Sequence, residues 1–147
     1  MGSNNYYVEN NNGGIVGGNH NKIVNYTIIT NQFIFENSEA DAVYLKEGIH
    51  MLLSFEIVDK YVEPLTQEID ERLSMGGFPL KIKITNLVED CANGVYYNGG
   101  NSDREVEKLI NGLFTLICTS RSFFYRAKIV KVGNNYFFEM YPNNYNF

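Results

Sequence analysis

Tryptophan is absent from this chain, cysteine and histidine occur twice each, and only three of the 147 residues are proline. Two cysteines, Cys91 and Cys118, are too few for a disulfide framework. A structural zinc site needs about four N or S ligands, and His20, His50, Cys91 and Cys118 are scattered singly. We therefore expect no metal and no cofactor. No apolar run approaches the ~18 residues that cross a bilayer. The first 21 residues lack the apolar core of a signal peptide, so the expected setting is the cytoplasm, of a cell or of a virus growing inside one. Gly-x-Ser-x-Gly elbows, phosphate-binding loops and dinucleotide fingerprints are also missing. The glycines between Gly13 and Gly18 lack the preceding strand and following helix of a phosphate cradle.

What the chain has is aromatic and apolar bulk, with 11 Tyr, 10 Phe and an apolar fraction of 44%. That is enough to bury one core at this length. The net charge of −5 argues against tight nonspecific binding of nucleic acid by the molecule as a whole. The charge is unevenly spread. Residues 1–75 carry four Lys and Arg against eleven Asp and Glu, a balance of −7, and residues 76–147 carry eight against six, a balance of +2. Solvated helix faces account for this most simply. The sharper implication is self-association, the negative face of one copy meeting the positive face of another.

Residues 1–21 read as a flexible arm because their Gly and Asn tolerate turn conformations. Residues 22–147 read as one domain. Lys22 to Glu36 is rich in β-formers and predicts a hairpin turning at Thr30-Asn31-Gln32, or one long strand. Ser38 is a good N-cap, with Glu39 and Asp41 in the first turn. Ala42, Leu45, Ile49 and Leu52 make one helical stripe. Met51, Phe55, Val58, Val62, Leu65, Ile69 and Leu73 make a second. Residues 38–75 are thus one broken helix or two in series. Pro64 should kink the helix or start the second, and Gly76-Gly77 should stop it. A strand over 51–58 is the rival, since Met51, Leu53, Phe55 and Ile57 also alternate.

Leu80, Ile82 and Ile84 alternate with Lys81, Lys83 and Thr85, which predicts a strand. Residues 89–101 read as a long central loop. Ser102-Asp103-Arg104-Glu105 is a capping box for a helix carrying Val106, Leu109, Ile110, Leu113 and Ile117. Phe123, Tyr125, Ala127 and Ile129 then alternate with Phe124, Arg126 and Lys128, and a turn at Gly133-Asn134-Asn135 returns the chain through Tyr136–Tyr141. The order ββ–αα–β–α–ββ implies an α+β fold of two layers, with helices on one face of a mostly antiparallel sheet of four or five strands.

Three sets of residues could carry function. Lys81, Lys83, Arg126 and Lys128, with Phe124 beside them, should share the sheet face turned away from the core. Cations beside an aromatic can hold single-stranded nucleic acid or a phosphorylated ligand, although plain alternation also produces the pattern. Tyr96 and Tyr97, together with Tyr6 and Tyr7 of the arm, have the composition of a contact surface. Cys91 with His50 or His20 is the remaining enzyme option, but Glu89 and Asp90 beside Cys91 oppose thiolate formation. The favoured expectation is a non-catalytic binding and assembly module, a homo-oligomer or the partner of another protein, with no membrane contact.

Overall fold

The computed structural model describes residues 33–48, 51–97 and 103–147. In chain order the elements are β1 (Phe35–Glu36), α1 (Glu39–Glu47), α2 (Met51–Met75), β2 (Leu80–Lys83), α3 (Thr85–Tyr97), α4 (Asp103–Thr119), β3 (Tyr125–Val132) and β4 (Asn135–Pro142). The four strands form one antiparallel sheet in the order β1-β3-β4-β2. Helices pack on one face of it, so the protein is the two-layer α+β fold that the alternation implied.

The inward strand positions are those with apolar side chains. Leu80 and Ile82 of β2, Ala127 and Ile129 of β3, and Phe138 and Met140 of β4 are all buried. Helix α4 lies over them, its Phe114 ring stacked on Phe138 at 4.0 Å. The predicted stripe Val106, Leu109, Ile110, Leu113 and Ile117 is buried in full. Burial continues around most of the helix, because α1 covers its other side. Gly112 makes that approach close: a methyl group there would overlap the Asp41 backbone carbonyl and come within 3.1 Å of Leu45 Cβ.

A polar network, not apolar contact alone, fixes the α1–α4 seam. Ser38 caps α1 by accepting from Asp41 N at 3.2 Å, and Ser38 N donates to Thr115 Oγ1 at 2.9 Å. Asn111 Nδ2 donates to the Glu36 carbonyl at 2.9 Å and to Asp41 Oδ2 at 2.8 Å. Its Oδ1 accepts from the buried Tyr125 hydroxyl at 2.7 Å. Asn37 Oδ1 accepts from Tyr125 N at 2.9 Å, tying β1 to β3. Buried polar atoms left single would be costly, and here they satisfy one another.

Three features differ from the sequence expectation. Residues 89–97 are not loop but the last two turns of α3, which buries Leu87, Val88, Cys91, Ala92 and Val95. Their helical spacing outweighs the roughly 1 kcal/mol that a mid-helix glycine such as Gly94 costs. Pro64 lies inside α2, and the break between helices falls instead after Gly48. Lys60, whose carbonyl loses its helical donor to Pro64, is exposed like Pro64 itself, so solvent can meet the freed group. The α2 stripe is also rotated at its start. Phe55 is 70% exposed, while Ser54 and Ile57 are buried ahead of Leu65 and Ile69. Met51 to Val58 is helix throughout, which disposes of the rival strand.

Of the expected first hairpin, Phe35–Glu36 pairs with β3. Residues 22–32 of that hairpin, the arm at 1–21, His20, His50, the 98–101 stretch and the Ser102 cap lie outside the described residues.

Ionic contacts hold α2 to the body. Arg121, just past α4, grips Asp70 with Nε at 3.0 Å and Nη2 at 3.2 Å. On α3, Asp90 accepts from Lys60 Nζ at 2.8 Å and from the Tyr61 hydroxyl. Burial and that carboxylate raise the Tyr61 pKa.

Candidate contact surface

Side chains at alternate positions of the strands point away from the helices and form the outer face of the sheet. Strand register decides who meets whom there. Lys81, Glu139 and Lys128 form one row across β2, β4 and β3; Lys83, Phe137 and Val130 form the next. On the other side of the first row, Arg126 pairs with Tyr141 and with Glu36 of β1. The predicted cations Lys81, Lys83, Arg126 and Lys128 therefore do share one face. Phe124, one residue before β3, is 53% exposed and continues the alternation. Lys131 has the opposite parity and reaches over Tyr136 at the hairpin end.

Two of these four cations are answered by a carboxylate. Lys81 Nζ lies 3.8 Å from Glu139 Oε2 and 4.9 Å from the Phe137 ring centre. Arg126 Nε is 3.2 Å from Glu36 Oε2, near enough for an ion pair though not aligned as a hydrogen bond. The Tyr141 hydroxyl donates to Glu139 Oε1 at 3.0 Å. Burial first, and then that carboxylate, push the Tyr141 pKa up to about 12. Lys83 makes no ion pair among the described residues.

Beyond Pro142 the chain turns back onto this face. Tyr145 stacks on Tyr141 at 4.3 Å, and Phe147 meets both rings edge-on at 5.0 Å. Arg126 Nη1 donates to the Tyr145 carbonyl at 2.7 Å. The Arg126 and Lys128 cations sit 5.2 and 5.7 Å from the Phe147 ring centre. The outer face is thus an aromatic and mixed-charge surface, and its aromatic rings and Arg126 are of the residue types enriched at protein interfaces.

The opposite side of the molecule is acidic. Glu56, Asp59, Glu63 and Glu71 lie on the exposed side of α2 and make no ion pair among the described residues. Helical spacing sets them along one flank, about 22 Å from first to last at 1.5 Å per residue.

Tyr96 and Tyr97 end α3 instead of occupying a loop, and Tyr6 and Tyr7 lie outside the described residues. Cys91 is fully buried, and burial followed by the Asp90 charge raises its pKa, so its thiol is not poised as a nucleophile. Burial also pushes Cys118 up to about 12. Among the described residues there is no group of three or more His, Cys, Asp or Glu able to hold a metal ion. No described helix is long and apolar enough to cross a membrane.

Sequence reasoning found the cations and missed their partners. Glu139, Phe137 and Tyr141 alternate with Tyr136, Phe138 and Met140, so the signal for their common face was present. Nothing in the composition of Asn143–Phe147 indicated that it folds back over the sheet. No family model matches the chain, and searches of curated proteins and of solved structures likewise found no match.

Proposed function

We propose that this protein is a non-catalytic assembly module whose copies associate head to tail, the acidic side of α2 in one copy against the outer sheet face of the next. The observation that carries this reading is the separation of charge between the two layers. Unpaired carboxylates line the exposed side of α2, while the outer face of the sheet carries four cations against Glu36 and Glu139. Exposed ion pairs are worth only about 0–1 kcal/mol each. Their role is orientation and encounter, with the aromatic side chains of the sheet face supplying buried area. A heterologous contact of this kind closes into a ring or runs on as a filament.

Light scattering against protein concentration, at about 20 mM and about 500 mM salt, tests the idea. Assembly is expected at low salt and should fall as salt rises. Lys83→Glu alone and Glu63→Lys alone should each reduce it. An equimolar mixture of the two variants should restore it, because each then offers the sign that the other lacks. A monomer under every condition, or assembly indifferent to both charge reversals, would refute the proposal. Salt-sensitive retention on heparin by a strictly monomeric protein would instead favour the anion-binding alternative on the same face.

A further inference from the structure

We infer that Asn143–Phe147 is a displaceable strap that shields the outer sheet face from the neighbouring copy. This rests on the head-to-tail reading and assigns regulation to the same surface. The strap begins where β4 ends, at Pro142, and reverses through a turn in which Tyr145 N donates to the Pro142 carbonyl at 2.9 Å. Among the described residues no strand pairing extends past Pro142. What holds the segment is the Arg126 bond to the Tyr145 carbonyl, the Tyr141 and Tyr145 stack, and the Phe147 ring beside Arg126 and Lys128.

Two properties follow from that list. First, the strap engages Arg126 and Lys128, two of the four cations that the neighbour's carboxylates would meet, and leaves Lys83 open. Second, its rings remain about two-fifths exposed, Tyr145 at 41% and Phe147 at 44%. Contacts this exposed and without ladder hydrogen bonds belong to the low-stability end of a fold, where local opening occurs without global unfolding. An incoming copy therefore competes with five residues of the chain itself. Its apparent affinity is lowered by the fraction of molecules whose strap is closed.

The full-length double variant Tyr145→Ser with Phe147→Ser tests this, beside a chain truncated after Pro142. Both changes lie outside the sheet ladder, and a thermal melt by circular dichroism checks that the fold persists. Sedimentation equilibrium should show tighter self-association in both, by about tenfold if the strap is closed nine-tenths of the time. Glu63→Lys placed in the strapless background should abolish the gain. Hydrogen exchange at the Tyr145 amide should be fast in the wild-type monomer and should change on assembly. If the wild type assembles through Lys83 and Glu63 while both strap variants assemble equally well, the strap inference fails and the head-to-tail reading stands. Weaker assembly in the variants would make the segment a contact and not a shield, again overturning the inference. If every form stays monomeric, the head-to-tail reading fails and takes the strap with it.

Discussion

Replacing Glu107 by glutamine should stabilise the protein above neutral pH and leave it almost unchanged in acid. The Glu107 side chain is 1% exposed, and neither carboxyl oxygen has a hydrogen-bond partner among the described residues. Arg104 Nη1 stands 3.7 Å away, an ion-pair distance but longer than a hydrogen bond, and is itself half exposed. Burial pushes the Glu107 pKa up from 4.5 to about 7, with Asp103 adding to the rise and Arg104 opposing it. Between those two values the folded protein holds a proton that the unfolded chain has released. Stability therefore falls as pH rises through this window.

Each pH unit is worth about 1.4 kcal/mol, so the window from 4.5 to about 7 sets an upper figure of about 3 kcal/mol. The amide mimics the protonated acid and cannot ionise. Urea unfolding followed by far-UV circular dichroism, from about pH 4 to about pH 8, gives the free energy of each form with a common slope. The variant should match the wild type within ~0.5 kcal/mol at the acid end and exceed it by up to about 3 kcal/mol at the alkaline end. Parallel curves across the range would mean that the carboxyl is solvated in solution, and the burial assigned to it would be wrong.

Three further outcomes follow from the packing. Asn111→Ala removes three hydrogen bonds, to the Glu36 carbonyl, Asp41 and the Tyr125 hydroxyl, and leaves that buried hydroxyl only its 3.3 Å contact with Thr115 Oγ1, so it should cost about 3 kcal/mol in chemical denaturation. Gly112→Ala drives a methyl group into the Asp41 backbone and should cost about 1–3 kcal/mol, or more if α1 must move, read as a lower thermal midpoint. Phe55→Ser should change stability by less than about 0.5 kcal/mol because the ring is already 70% exposed; a large loss there would show that α2 is rotated from its described position.

Periodicity was legible because it is a local property. The alternation through Leu80–Lys83 and Tyr125–Val132 identified strands and their inward residues without any knowledge of neighbours, and the turn at Gly133 placed the returning strand. The same held for the stripe on α4 and for the Ser38 cap, which needs only residues three apart. The α3 helix was misread because Asn93-Gly94 and the following Asn and Gly suggested a loop, while Leu87, Cys91 and Val95 were spaced for a helix. Burial decided between these two signals, and burial is not a local quantity. For α2, the helical stripe held Phe55 and only the rival strand pattern held Ile57, and packing in three dimensions buried Ile57 instead.

The chain order by itself determined the strands β2, β3 and β4 and the helices α1, α2 and α4, which faces of β2 and β3 are greasy, and where the negative and positive charge accumulate. Those follow from side-chain chemistry and the fixed periods of the backbone. Strand order was decided only in three dimensions: β2 joins β4, the last strand in sequence, and β1 joins β3. That placement sets Glu139 between Lys81 and Lys128 and brings Glu36 to Arg126. It also gives Tyr145 and Phe147 a surface to lie on. Charge neutralisation across the sheet depends on distances of a few ångströms between residues as many as 90 positions apart, and a pattern read along the chain holds no record of such distances.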